Sequence, residues 1–338
     1  MRQDIEFYPA VNVRGNKMDI IALGELLIDF ASIAVDDEGY PTLAAHPGGG
    51  PANFLAGALK YGMKAGMICK VGNDAFGKML TGTMKKIGAS VEGIVVDNNV
   101  FTTLAFVTLD KNGDRSFSFS RKPGADTCLT SEEVRYDLID ESDVFHFGTL
   151  SLTTEPAKEA TYKAIEYARK NGKLISFDPN LRELLWDDLE EAKRQIIIGL
   201  KASDIVKISD NEVEFLWGLD PEAGLKKILD EFPAKLVYVT CGANGCIASN
   251  RNFCVKTESL KGVKAVDTTG AGDIFGGSAM ARFLAKKKKI EELTEEDLKD
   301  ITRFACTAAG LSTENYGGIS SVPEIEDVEE RMKEEYLK

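Results

Sequence analysis

The sequence carries no apolar run of membrane-spanning length and no secretory hydrophobic segment, which points to a protein of the reducing cytoplasm with no membrane partner. Positive charge is also in short supply. Against 54 acidic residues stand 41 basic ones, and the net charge of -13 argues against nucleic acid as a partner. The six cysteines, at 69, 128, 241, 246, 254 and 306, form no Cys-x-x-Cys pair, so buried thiols are expected rather than a metal cluster. Only two histidines occur. His46 precedes a glycine turn, where it is placed to touch a substrate, and His146 follows a buried strand, where a structural role is expected; neither makes a good general base. No Gly-x-Gly-x-x-Gly turn follows the first apolar strand, which reads Gly24-Glu25-Leu26-Leu27-Ile28-Asp29 at its end and so fails the test for a dinucleotide-binding oxidoreductase. What remains is 338 residues, 43% apolar and 28% charged, enough for one large α/β domain or a domain with a smaller appendage.

The chemistry that is present concentrates in Asp267-Thr268-Thr269-Gly270-Ala271-Gly272-Asp273, directly before the small, apolar run Ile274 to Leu284. That run contains no proline and reads as a helix, so the Gly-Ala-Gly segment falls at its N-terminus. Unpaired backbone N–H groups and the positive end of the helix dipole gather there, and without large side chains at Gly270, Ala271 and Gly272 an anion can approach them closely. Such a place suits a phosphate or an oxyanion formed during reaction. A carboxylate beside it repels that anion unless it takes up a proton or faces a metal, and Asp273 therefore reads as a general base. The plainer alternative is a tight strand-to-helix connection, which periodicity does not exclude.

Elsewhere, polar clusters recur where apolar strands end. Residues 1–17, with Pro9 and Gly15, lack periodicity and read as an N-terminal extension to a domain over 18–338. The first core strand, Asp19 to Leu23, runs on toward Asp29, a candidate to hydrogen-bond a polyol. In Pro47-Gly48-Gly49-Gly50-Pro51-Ala52-Asn53 the glycines bring backbone close to a ligand, and Asn53 offers a donor and an acceptor in the first helical turn. This suits a neutral, hydroxyl-rich ligand, with an ordinary turn and N-cap as the alternative. Val91 to Val96, Thr102 to Leu109 and Ser116 to Ser120 alternate as strands about a Lys111-Asn112-Gly113-Asp114 turn. With the weakly alternating Phe30 to Tyr40 they predict a small separate sheet, from about 30–45 and 91–122, or else an edge extension of the main sheet. The strand Leu174 to Phe177 delivers Asp178, Asn180 and Arg182 together, and Arg182 is suited to meet a phosphate or to pair with Asp178. After Ile205 to Ile208, Asn211 and Glu214 share one helix face, where they can hold Mg2+ through water, alongside capping by Ser209 or Asp210.

The Asp267 to Asp273 motif resembles the second signature of the ribokinase-like (PfkB) sugar kinases, and Gly48 to Asn53 followed by Val71-Gly72-Asn73-Asp74-Ala75-Phe76-Gly77 resembles the first. The resemblance runs from about Asp19 to Pro323, and Gly24-Glu25, Arg121 to Asp126, Phe145 to Gly148 and Asp178 to Arg182 look most like fructokinase stretches. It implies a doubly wound, mostly parallel sheet flanked by helices with a small β-sheet lid, a homodimer, and transfer of the γ-phosphoryl group of ATP to the primary hydroxyl of fructose. Carried over residue by residue, Asp273 would take the hydroxyl proton while the backbone of Gly270, Ala271 and Gly272 stabilises the transferring group. Asp29, Gly49, Gly50 and Asn53 would hold the sugar with Arg121 near it, and Asn180 and Arg182 would serve the phosphates. Thr240, Gly242, Gly245 and Asn315 would surround the nucleotide, Asn211 and Glu214 would hold Mg2+, and Asp267 and Thr269 would hold K+ near the anion hole. Gly48-Gly49-Gly50-Pro51 has glycine where many fructokinases carry a small side chain, and Lys122 stands where asparagine is common, so 2-keto-3-deoxygluconate, another sugar acid or a nucleoside remains an alternative acceptor. A reading of another class is an inactive regulatory homologue, against which Asp273 and the anion-hole glycines stand.

Overall fold

The computed structural model describes residues 17–109 and 115–336, so the expected N-terminal extension, save Lys17, and the Lys111 to Asp114 turn lie outside the described residues. In chain order, β1 (Met18–Leu23) opens the main sheet, β2 (Leu27–Val35) and β3 (Pro41–Gly48) leave it as a hairpin, and α1 (Gly50–Lys60) returns the chain to β4 (Ala65–Gly72), α2 (Ala75–Lys86) and β5 (Ser90–Asp97). β6 (Leu104–Leu109) and β7 (Arg115–Ser120) follow. Helices and strands then alternate through α3 (Tyr136–Asp140), β8 (Ser142–Gly148), α4 (Ala157–Lys170), β9 (Leu174–Asp178), α5 (Leu189–Ala202), β10 (Ile205–Ser209), α6 (Asp210–Trp217), α7 (Pro221–Glu231) and β11 (Leu236–Thr240). β12 (Cys246–Ser249), β13 (Cys254–Thr257), α8 (Ala271–Ala285), α9 (Glu295–Ser312) and α10 (Ile325–Tyr336) complete the described chain.

The main sheet has nine strands in the order β13-β12-β11-β10-β9-β8-β1-β4-β5, parallel from β11 to β5, with β12 and β13 added antiparallel at one edge. Its strands are apolar on both faces because helices cover both. Along β1, Ile20 and Ala22 enter the core layer with α1, α8 and α9, while Ile21 and Leu23 enter the opposite layer with α4, α5 and α7. Among the described residues no helix is long and apolar enough to cross a membrane.

Four strands, in the order β3-β2-β6-β7, form the small sheet. Two expectations need correction here. Residues 91–96 do not belong to it, because β5 pairs parallel with β4 at the edge of the main sheet. The apolar β-periodicity of the segment was right for a strand of either sheet; the crossover through α2 decides which. Asp29, expected at the end of the first core strand, instead lies on β2, since the chain leaves the main sheet at Gly24 and re-pairs with β3 and β6. Of the cysteines, Cys69, Cys246 and Cys306 are buried thiols as expected, Cys128 and Cys241 are half-buried, and Cys254 is exposed on the edge strand β13.

One helix contact positions the site. The small residues of α1 and α8 let their backbones meet: a Cβ at Gly277 would stand 2.0 Å from the Phe54 carbonyl oxygen, and one at Gly57 would stand 3.2 Å from that of Ile274. Close approach of these two helices carries Asn53, in the first turn of α1, to Asp273, in the first turn of α8.

Candidate active site

Strand order reverses between β1 and β8, and in an open parallel sheet the carboxyl ends beside such a reversal are where ligands bind. A cleft of about 380 Å³ opens over the neighbouring strand ends, lined by Asn180, Arg182, Lys207, Asn211, Glu212, Thr268, Gly270, Gly272 and Asp273. At its floor lies the N-terminus of α8. Gly270 is the N-cap residue with φ 76, a left-handed conformation that glycine takes without penalty, and it turns the Gly270 to Gly272 backbone into the cleft wall.

Asp273 is buried and gripped on both sides. Its Oδ2 accepts from Asn53 Nδ2 at 3.0 Å and its Oδ1 accepts from Asn180 Nδ2 at 3.0 Å. A carboxylate only accepts, which fixes both amide orientations. Asn53 Oδ1 is thereby left buried with no partner among the described residues. Glycines make room for both amides: a Cβ at Gly50 would lie 2.1 Å from Asn180 Nδ2, and one at Gly318 would lie 2.2 Å from Asn53 Oδ1. Asn180 itself holds φ 45, an uncommon conformation for a residue with a side chain, at the point where it reaches Asp273. Burial raises the Asp273 pKa above the usual carboxylate range, opposed by the Lys207 charge and the Asn53 hydrogen bond. That is the direction a general base working near neutrality requires.

The surrounding charges are few and enclosed. Lys207 Nζ, from the middle of β10, lies 3.0 Å from Oδ2 and 3.3 Å from Oδ1 of Asp178 at the end of the adjacent β9. Burial opposes the Lys207 charge, but Asp178, Glu212 and Asp273 outweigh it and raise its pKa above the ordinary lysine value. Burial pushes Asp178 up, against the attraction of Lys207. Glu25 is buried, accepts from the Gly50 N–H at 2.6 Å and is pushed up to about 7 by burial. Asp29 is also pushed up to about 7, by burial first, with Arg182 opposing and Asp273 and Asp267 adding to it. Its carboxylate bends over Gly48, where a Cβ would meet Oδ2 at 2.1 Å. Directly across the strand pair sits His46, whose Nε2 is buried without a partner among the described residues.

The structure brings together most but not all of the sequence-derived candidates. Asp273, Gly270, Gly272, Asn53, Asn180, Arg182 and Asn211 meet at or beside the cleft, and Ala271 begins the helix there. Gly49, with φ 115, forms the N-cap of α1 next to Gly50. Asp267 and Thr269 form a tight turn in which Asp267 Oδ1 accepts from the Thr269 N–H and hydroxyl, at 3.0 and 2.7 Å, while Oδ2 accepts from the Gly317 N–H at 3.0 Å. Thr240 ends β11 in register with Ser209, and Gly242 and Gly245 shape the following turn with φ 52 and 85. Together with exposed Asn315 these stand outside the cleft lining. Arg121 is turned away: buried, it donates to Asp126 Oδ2, Thr153 Oγ1 and the Leu150 carbonyl, at 2.7–2.9 Å. Glu214 is exposed and absent from the lining, whereas Glu212 lines it, closing a capping box with Ser209 and accepting from the Leu181 N–H at 2.8 Å. Asp178 pairs with Lys207 rather than Arg182.

Sequence reasoning passed over Lys207, Glu212 and Glu25. Lys207 did carry a signal, a lysine inside the apolar strand Ile205-Val206-Lys207-Ile208, where a charge is retained only with a partner or a purpose. His146 has the expected structural surroundings: its ring stacks on Phe54 with centroids 3.7 Å apart, Nδ1 lies 3.0 Å from Ser176 Oγ, and burial lowers its pKa to about 3.

Comparison with known proteins agrees with this geometry. The sequence matches the pfkB family of carbohydrate kinases over residues 17–325. It is 40% identical to Fructokinase-2 of Solanum lycopersicum, over 93% of this chain and 96% of that protein, and 39% identical to Fructokinase-1 of Zea mays, over 90% and 94%. Among solved structures, the ATP-bound fructokinase of Xylella fastidiosa superposes with a TM-score of 0.85 at 28% identity, covering 94% of this chain and 99% of that one. The fructokinase of Vibrio cholerae O395, in a fructose, ADP and calcium ion bound form, gives 0.81 at 28% identity, covering 93% and 99%. Taken with the fold and the Asp273 site, these matches place the chain in the pfkB family of carbohydrate kinases.

Proposed function

We propose that this protein is a cytoplasmic fructokinase, which transfers the γ-phosphoryl group of ATP to the primary hydroxyl of fructose. The observation that carries the reaction is Asp273, buried, held by two amides and set in the first turn of α8 beside the anion-binding backbone. In the transfer, Asp273 accepts the hydroxyl proton as the sugar oxygen bonds to the γ-phosphorus, the bond from that phosphorus to the bridging oxygen breaks, and ADP leaves. The Gly270 to Gly272 backbone offsets the charge on the transferring group. Asn180 and Asn53 orient the base, and Asp29 and Asn53 hold sugar hydroxyls. The relatives named above support fructose as acceptor. So do Arg121 and Lys122, the two residues that would favour a sugar acid: Arg121 is taken up by Asp126, and exposed Lys122 pairs with Asp187 at 3.2 Å.

Mg2+ fits the oxygen donors of α6, where Asn211 at the cleft and Glu214 on the same helix would hold it through water, while both Glu212 oxygens already accept from the Ser209 and Leu181 N–H groups. Bound with ATP, it would neutralise charge on the phosphates. Asp267 and Thr269 offer only oxygen donors as well and are the proposed K+ ligands. A homodimer through the small sheet is part of the same reading, supported by Ile33 and Val35 standing exposed on β2 and by exposed Tyr40 just before β3.

The test is ADP release from ATP and Mg2+ with fructose, ribose, 2-keto-3-deoxygluconate, tagatose and nucleosides, run beside Asp273→Ala. Turnover on fructose, reduced at least about a thousandfold in the variant, is expected. Turnover on a sugar acid would overturn the substrate, and full activity of the variant would remove Asp273 as the base.

A further inference from the structure

We propose that the ammonium group of Lys207 is a catalytic charge of the transfer site, contacting the transferred phosphoryl group beside Gly272. The proposal rests on the kinase reading above. Lys207 occupies the interior of β10, where its neighbours Val206 and Ile208 are fully buried. Lys207 lines a small cavity together with Ile205 and Tyr238, and a Cβ placed on Gly272 would lie 3.0 Å from Nζ. The ammonium therefore sits against the first turn of α8, where a side chain at 272 would crowd it.

Stability does not account for a lysine there. A buried ion pair roughly breaks even against apolar side chains of the same volume, so the Lys207 and Asp178 pair gives the strand little that a leucine would not. What the pair does supply is a fixed positive charge at the edge of the cleft. An ammonium carries three donors, and Asp178 is its only hydrogen-bond acceptor among the described residues. The other positive group lining the cleft, Arg182, is exposed, whereas three carboxylates, Asp178, Glu212 and Asp273, face Lys207. A triphosphate entering this acidic site needs a fixed cation close to the atom being transferred. Lys207 stays protonated throughout; the hydroxyl proton goes to Asp273 and the electron pair of the broken bond to ADP.

The decisive variants are Lys207→Met and the double variant Lys207→Met with Asp178→Asn, which also removes the charge of the carboxylate that Lys207 pairs with and so guards against misfolding. Turnover is read together with calorimetric binding of ADP and of a non-hydrolysable ATP analogue. Both variants should lose at least about a hundredfold in kcat with the sugar KM within about twofold. The analogue, which carries the γ-phosphate, should bind at least about tenfold more weakly while ADP changes by less than about twofold. Asp178→Asn alone, which keeps the ammonium, should fall by less than about tenfold. Recovery of kcat in the double variant would overturn the proposal, since Lys207 would then serve only to neutralise Asp178. A loss in Asp178→Asn as deep as in the double variant, or equal weakening of ADP and analogue, would also overturn it. If the unaltered protein phosphorylates no sugar, the kinase reading fails by itself, and the difference between analogue and ADP still decides the role of Lys207.

Discussion

Asp273 is held by two amides that were expected to serve other partners. Asn53 was assigned to the sugar and Asn180 to the phosphates, yet each donates a 3.0 Å hydrogen bond to one oxygen of the same carboxylate. The Asn53 bond favours the ionised form, against the burial that disfavours it. Its removal in Asn53→Ala should raise the Asp273 pKa, so the acid limb of the kcat/KM profile should move to higher pH. Profiles of both proteins over about pH 5 to 9 would show this. A uniform loss with an unmoved limb would mean that Asn53 serves the sugar alone.

At the scale of the elements, glycines decide how closely α1, α8 and the loop after β9 converge. Gly50→Ala would drive a methyl group into Asn180 Nδ2, 2.1 Å away, and free one oxygen of Asp273. We expect kcat to fall by about 10- to 100-fold, measured in the same assay, with the sheet intact. Gly277→Ala acts differently, because its Cβ would meet the Phe54 carbonyl at 2.0 Å and force α1 away from α8. That should destabilise the protein by about 1–3 kcal/mol. Gly82, exposed on α2 with nothing within 4 Å of a Cβ, is the control: Gly82→Ala should stabilise by up to about 1 kcal/mol in denaturant melts.

For the molecule as a whole, the balance of carboxylates sets a pH dependence. Glu25 and Asp29 are pushed up to about 7 by burial, so between their unfolded values near 4 and that pH the unfolded chain releases protons that the folded chain keeps. Stability from these groups is complete below the unfolded pKa and is lost as pH rises through about 7. The net charge of -13 adds repulsion in the same direction. Asp74 works the other way: hydrogen bonds from Thr102, Gly77 and Phe76 outweigh burial and lower its pKa, so its contribution disappears only in acid. The ligand-free protein should therefore melt at higher temperature at about pH 6 than at about pH 8, and destabilise again below about pH 4. Equal melting temperatures at the two higher values would show that these carboxyl groups ionise freely in the folded state.

Much of this was written in local sequence. Apolar runs of strand length separated by helical periodicity are enough to specify a doubly wound sheet, because each element must bury its apolar face against the next. The Asp267 to Asp273 run likewise announces its anion site, since a helix start, two glycines and a carboxylate are neighbours in the chain. Other features belong to tertiary structure alone. Whether residues 91–96 join the small sheet or the main one depends on pairing with β4, and the pattern of side chains is the same in either place. That Arg121 is spent on Asp126, that Asn53 and Asn180 meet on Asp273, and that Lys207 lies under Gly272 all depend on close approach between residues distant in the chain. Sequence shows which groups a chain possesses; which of them remain free for chemistry is decided only when packing has assigned each buried donor and acceptor a partner.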